Sequence, residues 1–311
     1  MKNNTIRVGT RGSQLALWQT NHIVSLLKKQ FPSVTFEIIT IKTTGDKHLE
    51  QPLEKIGDKG LFTRELDDAL LNDRVDIAVH SLKDIPTVLP EGLHIQAIPE
   101  RGDVRDAFLS PARKPFDSLP RGSTVATGSL RRRAQLLHRR PDLNIVPVRG
   151  NVPTRIRKME EHQWDGMVLA AAGLHRLSLQ SHIVQYFPPD VLVPAVGQGA
   201  LGVVCRTDDT TIASYLRAIH HPNAAAAVLA ERQFMRTLEG GCHVPIGALG
   251  WVKGTELVLT GMLASIDGTQ LVKHQMSGDV EKPHQLGEAL AQWILDHGGK
   301  EILTEMERGT V

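Results

Sequence analysis

At 311 residues, with 41% hydrophobic and 23% charged side chains, the chain has room for two or three domains with ordinary cores. A net charge of +2, from 36 Lys and Arg against 34 Asp and Glu, is too even to argue for nucleic acid or an acidic membrane surface. Two cysteines, Cys205 and Cys242, exclude a disulfide framework. No apolar run approaches the ~20 residues of a membrane helix, and no apolar h-region follows Met1, so a cytoplasmic location is expected.

In chain order, Ile6–Thr10 predicts a strand and Ser13–Gln30 a helix, with Leu15, Trp18, Ile23, Leu26 and Leu27 on one broad side. Val34–Ile41 is the next strand. The stretch from Lys42 to Gly60 has too few apolar residues to pack, and predicts a long mobile loop of the kind that forms lids. A helix over Leu61–Leu71 and a strand over Val75–His80 follow. Further strands are expected at Arg105–Leu109, Thr124–Thr127, Ile145–Arg149 and Met167–Ala171, with helices between them. Ala200–Cys205 is another strand, expected to cross back to the first domain. After Pro222 come a helix, Ala224–Leu238, strands around Ile246–Trp251, Glu256–Ala264 and Thr269–Met276, and a helix around His284–Leu295. That order suggests a small α+β domain.

In open α/β sheets, ligands bind beyond the carboxyl ends of the strands. The residues there are polar and basic: Arg11 and Ser13; Ser81, Lys83 and Asp84; Ser129 and Arg131 to Arg133; Asn151 and Arg155; His175 and Arg176. Guanidinium groups pair with carboxylates through two parallel hydrogen bonds, and helix N-termini add free N–H groups, so the set suits a ligand bearing several carboxylates or phosphates. Any one of these arginines taken alone reads as a solvated surface charge, and Arg131 to Arg133 as an ordinary basic helix start or a nucleic-acid patch; only their convergence points to an anion-binding cleft. Asp84 is the exception in sign. It is either a turn residue before Ile85-Pro86 or the partner of a group that becomes positive during reaction. Cys242, between Gly240-Gly241 and Pro245, reads as a thiol presented on a loop, able to act as nucleophile or covalent anchor; Cys205 reads as an apolar filler. His243 beside Cys242 does not make a metal site, and no nucleotide-binding glycine motif is present.

The motifs Thr10-Arg11-Gly12-Ser13-Gln14-Leu15-Ala16, Gly57-Asp58-Lys59-Gly60-Leu61-Phe62, Val79-His80-Ser81-Leu82-Lys83-Asp84-Ile85-Pro86, Ser129-Leu130-Arg131-Arg132, Arg149-Gly150-Asn151-Val152, Pro194-Ala195-Val196-Gly197-Gln198-Gly199 and Leu238-Glu239-Gly240-Gly241-Cys242 run in order along the chain. Together they resemble the porphobilinogen deaminases. The resemblance implies two periplasmic-binding-protein-like doubly wound α/β domains, residues 1–99 with 200–218 and residues 100–199. A small α+β C-terminal domain, 219–311, would carry the cysteine loop, with the site in the cleft between the first two. It implies a dipyrromethane cofactor held by Cys242 through a thioether, and a transferase that joins four porphobilinogen molecules head to tail, releasing ammonia and finally hydroxymethylbilane.

By the same resemblance Asp84 is the catalytic residue, binding pyrrole N–H groups and stabilising the cationic azafulvene. Lys83, Ser129, Arg131 and Arg132 bind the cofactor with it. Arg11, Ser13, Arg149, Arg155, Arg176 and Gln198 bind substrate or the growing chain, and Lys59 and Phe62 belong to the lid. No metal and no nucleic acid are implied, and a monomer is. Gly128 stands where many members have Ser, which is expected to remove one hydroxyl from the cleft, and Gln14 where some have Pro. The main rival is a non-catalytic, two-lobed anion-binding protein, in which the Gly-Gly-Cys loop would have no purpose; a nucleic-acid-binding regulator is the other.

Overall fold

The computed structural model describes residues 5–47, 60, 62–238 and 244–308. They fall into two compact units, residues 1–102 with 199–225, and 103–198 with 226–311.

The first unit holds β1 (Thr5–Thr10), α1 (Gln14–Gln30), β2 (Thr35–Thr40), a single turn α2 (Thr44–Lys47), α3 (Arg64–Leu71), β3 (Ile77–Ser81) and β4 (Leu93–Ala97). Helix α1 buries Ala16, Gln19, Thr20, Ile23, Val24 and Leu27, a stripe at three- and four-residue spacing. This corrects the expected face: Trp18 is 39% exposed, because Gln19 and Thr20 occupy the stripe that hydrophobicity alone assigned to the indole. Helix α3 begins at Arg64, three residues later than expected, and α2 falls where only loop was expected. Residues 48–59 of the expected lid, Lys59 among them, lie outside the described residues.

The second unit opens with β5 (Asp106–Leu109), β6 (Thr124–Ala126), α4 (Leu130–Arg139), β7 (Asn144–Val146), α5 (Val152–Glu161), β8 (Gly166–Ala170), α6 (Ala171–Arg176) and β9 (Ile183–Phe187). Strand β7 stops before Pro147, which has no N–H for a ladder, so Arg149 lies on a loop and not in the strand expected to reach it. The chain then returns to the first unit as β10 (Leu201–Arg206), which pairs antiparallel with both β3 and β4; the sheet order there is β2-β1-β3-β10-β4. The second sheet has the matching order β7-β6-β8-β5-β9, with β6, β7 and β8 parallel. Apolar clusters cover both faces of the first sheet, Ile23 and Leu27 with Ile77 and Val79 on one side, Leu66 and Leu70 with Ala78 and Val204 on the other. This is a doubly wound mixed α/β architecture.

Helix α7 (Thr210–Arg217), not foreseen, is capped by the Asp209 carboxylate, which accepts the Ile212 N–H at 3.0 Å. After α8 (Pro222–Thr237) come β11 (Ile246–Lys253), β12 (Glu256–Ala264), β13 (Leu271–Asp279), α9 (Pro283–Ile294) and α10 (Lys300–Arg308). The three strands form an antiparallel sheet, and α8 and α9 supply Phe234, Leu286 and Leu290 to its core.

Gly261 of β12 is part of that core by lacking a side chain: a Cβ would come within 2.5 Å of the Phe234 ring and 2.9 Å of Leu290. Gly261→Val should therefore cost about 2 kcal/mol through overpacking, read as a lower denaturant midpoint. An unchanged midpoint would show that the two helices give way freely.

Candidate functional site

In the first unit, β1 and β3 deliver their carboxyl ends side by side. Ser13 caps α1 by accepting the Ala16 N–H at 3.2 Å, which turns the chain so that Arg11 precedes the helix. Ser81 ends β3, and a 3-10 turn, Leu82–Asp84, follows. The Gln19 side-chain amide donates to the Ser81 hydroxyl at 2.7 Å, tying α1 to that turn. One pocket is lined by Arg11, Ser13, Gln19, Phe62, His80, Ser81 and Asp84. The Phe62 ring covers the Arg11 guanidinium, 4.3 Å from its centroid to Cζ, a cation–π contact. Lys83 and Asp84 are exposed.

His80 is 5% exposed, and its Nε2 is buried without a partner. Burial, and then the positive Arg11, push its pKa down to about 4, so the imidazole is neutral.

In the second unit the carboxyl ends of β6, β7 and β8 carry the remaining cations. Ser129 caps α4, accepting the Arg132 N–H at 3.4 Å. Arg131 and Arg132 turn inward onto Asp106, which has no exposed surface. Arg131 Nη1 lies 2.8 Å from Asp106 Oδ2 and donates to the Val193 carbonyl at 2.6 Å. Arg132 Nε and Nη2 donate to Asp106 Oδ1 at 2.9 and 2.7 Å, and its Nη1 to the Val168 carbonyl at 3.3 Å. Despite its burial, the two guanidinium groups hold the Asp106 carboxyl well below the usual carboxylate range. Gln198, also without exposed surface, donates to Asp106 Oδ1 and to the Val104 carbonyl, each at 2.8 Å.

Arg149 follows β7, half-buried, and its Nη1 is buried without a partner; burial pushes its pKa down. Gly150, at φ +116, turns the chain into Asn151, whose side chain accepts the Thr154 N–H at 2.9 Å and caps α5. Arg155 on that helix donates Nε to the Gly150 carbonyl at 2.7 Å. Arg176, at the end of α6, is pushed down to about 10 by burial. Gly128 does more than omit a hydroxyl: a Cβ there would come within 2.5 Å of the Val148 carbonyl oxygen, so the glycine lets two strand ends approach. Cys242 lies outside the described residues; Cys205 is the buried filler expected. Asp106 and His80 were missed as site residues. The legible signal for Asp106 was an acid opening the apolar run Ala107-Phe108-Leu109.

The strand ends of the second unit thus present desolvated guanidinium groups, and Arg131 Nε, Arg133 Nε and Arg149 Nη1 are buried without an acceptor, which fits a ligand bearing carboxylates. The geometry defines an α/β protein whose strand ends gather cations of the kind that suit an acidic small molecule. A family model described as "Porphobilinogen deaminase, dipyromethane cofactor binding domain" matches residues 6–214, and one described as "Porphobilinogen deaminase, C-terminal domain" matches residues 225–296. The chain belongs to the porphobilinogen deaminase family, transferases of tetrapyrrole biosynthesis with a dipyrromethane cofactor.

It is 51% identical over 303 residues to the porphobilinogen deaminase of Geobacter sulfurreducens, covering 97% of this chain and 95% of that one. The identity is also 51% over 308 residues to that of Carboxydothermus hydrogenoformans, covering 99% of both. Among solved structures, the methionine-binding protein MetQ is similar over 70% of this chain and 91% of its own, at 14% identity and a TM-score of 0.45. Among the described residues, no helix is long and apolar enough to cross a membrane.

His80 titrates in a window that can be tested. Its folded pKa of about 4 lies below the unfolded value near 6.5. Between the two the unfolded state binds more protons, so this group's contribution to stability is lost as pH falls through the window. Asp67, pushed up to about 6 by burial, acts oppositely, because there the folded state binds the extra proton. The difference between wild type and His80→Gln isolates the histidine. Between pH 7.5 and 5 the wild type should lose about 2 kcal/mol more than the variant in denaturant titrations. Equal losses would mean that His80 is protonated in the fold.

Proposed function

We propose that this chain condenses four porphobilinogen molecules head to tail, releasing ammonia at each step and, after hydrolysis, hydroxymethylbilane. The observation that carries the assignment of roles is the pocket in which Arg11 and Asp84 sit together at the ends of β1 and β3. When bound, through a thioether to Cys242, the dipyrromethane supplies the free pyrrole position onto which substrate rings are joined.

Porphobilinogen carries an acetate and a propionate beside a cationic aminomethyl group. Arg11 and Ser13 take up a substrate carboxylate, and the Phe62 ring keeps water from the far side of the guanidinium. Asp84 faces the aminomethyl carbon. As the carbon–nitrogen bond breaks, the electron pair leaves with ammonia and the ring becomes positive; a fixed carboxylate lowers the energy of that charge most in a partly desolvated pocket. Lys83, Ser129, Arg131 and Arg132 hold cofactor carboxylates, the last two paired with Asp106. Arg149, Arg155 and Arg176 bind the acid side chains of the lengthening chain, and Gln198 supports substrate binding from the packed interior through Asp106. The near-neutral total charge supports an enzyme that binds no nucleic acid, and the same reading makes it a cytoplasmic monomer.

An intact mass spectrum of the purified protein should show an adduct of two linked pyrrole units, mapped to the peptide containing Cys242 and absent from Cys242→Ser. A chain that stays bare after incubation with porphobilinogen and releases no ammonia would return the assignment to a non-catalytic anion-binding protein. Asp84→Asn should keep the fold while turnover falls by roughly 100-fold or more, the scale of losing one group that faces developing charge. Near-normal rates would remove Asp84 from that role.

A further inference from the structure

Glu231 lies in α8 after an almost wholly apolar stretch, Ala224 to Ala230, and has no exposed surface. Its two carboxylate oxygens accept from two different parts of the second unit. Oε2 takes the Gly197 N–H and Oε1 the Gly250 N–H, each at 2.7 Å. Gly197 belongs to the loop that precedes β10, at φ +71, and Gly250 to β11.

Around this bridge the backbone is packed too closely for side chains. A Cβ on Gly250 would come within 2.8 Å of the Ala227 carbonyl oxygen, and one on Gly247 within 2.9 Å of the Val193 carbonyl oxygen. The Ala248 N–H donates to the Pro194 carbonyl at 2.9 Å, so the loop runs along β11 as well. The next residue after Gly197 is Gln198, whose amide nitrogen meets Asp106 Oδ1, and Asp106 is the carboxylate shared by Arg131 and Arg132. A continuous polar chain therefore runs from Glu231 through the Gly197 amide and the Gln198 side chain to Asp106 and the arginine pair.

We propose that Glu231 is a positioning residue for the arginine pair: by holding the Gly197 amide against β11 it sets Gln198 on Asp106, and so fixes where Arg131 and Arg132 present their remaining donors. The inference rests on the proposed function, in which those arginines hold cofactor carboxylates. On this reading Glu231 acts through the arginine pair and not on the reacting groups. A carboxylate is needed because both amides must be accepted at once. A glutamine offers one oxygen and turns an NH2 group toward the other N–H, which leaves a buried donor unmatched.

The experiment is covalent cofactor occupancy, the fraction of purified chains carrying the dipyrromethane adduct in an intact mass spectrum. It is measured for wild type, Glu231→Gln, Gln198→Ala and the double variant. Gly261→Val, which overpacks the third sheet's core against Phe234 and Leu290 and leaves the Glu231 bridge's own groups in place, serves as the control for lost stability. Occupancy should fall several-fold in each single variant, and the double variant should be no worse than the poorer single, because both cut the same chain. Gly261→Val should stay fully occupied.

Full occupancy in Glu231→Gln, multiplied losses in the double variant, or an equal loss in Gly261→Val would each overturn the proposal and leave Glu231 an ordinary buried acceptor. If Glu231→Gln fails to fold, Gln198→Ala alone decides, since its amide can be removed without touching the Glu231 bridge. A wild type with no adduct would instead sink the functional assignment itself, so the two failures are distinguishable.

Discussion

Two guanidinium groups share one carboxylate in the interior of the second unit, and much of what surrounds them follows from that sharing. A lone buried carboxylate or a lone buried arginine would cost several kcal/mol in lost hydration. Asp106 with Arg131 and Arg132 satisfies most of those demands internally and docks the first turn of α4 onto β5. One formal positive charge is left over. It lies beside the N-terminus of α4, where free N–H groups already point outward and favour an anion. The cations of this unit thus differ in use: Arg132 is almost wholly taken up by protein acceptors, whereas Arg149 keeps a buried nitrogen without one.

The first unit solves a different problem with the same elements. Its pocket keeps Lys83 and Asp84 exposed and sets the face of Phe62 over the Arg11 guanidinium. An aromatic face stabilises a guanidinium without competing for its in-plane donors. His80 beneath the pocket is kept neutral by burial and by Arg11, which avoids adding another charge to a group of cations that a small substrate must neutralise.

The alternation of strand and helix was legible because it depends on local periodicity, and β12 falls on the residues that pattern indicated. The cations at the strand ends were legible too, because a rule about parallel sheets selects them. What each cation faces was not. Arg131, Arg132 and Arg149 look alike in sequence, and only the long-range contact with Asp106 separates them. The stripe of α1 was misjudged for a related reason: a helix buries whatever its register places inward, and here that includes Gln19 and Thr20, with Gln19 satisfied by Ser81. Strands β4 and β9 and helices α7 and α10 were missed, since short edge strands and polar helices carry weak periodic signals.

The third sheet contributes to the site by where it is fastened. Gly268, in the turn between β12 and β13, sits so close to the backbone of α4 that no side chain would fit, and the His138 ring bonds its carbonyl at 2.8 Å. Glu231 fastens the other end of the same body to the loop carrying Gln198. Helix α4 is thereby gripped by Asp106 at its first turn and by the β12–β13 turn near its last. Most tertiary contacts hold a helix by its apolar face and tolerate small slides. A helix pinned at both ends by hydrogen bonds and by glycine-close backbone has little freedom to slide, and its N-terminal donors keep one position as the ligand changes in length. On the proposed function, in which one acidic group is held while others are added, that fixed reference offsets the burial of so many charges.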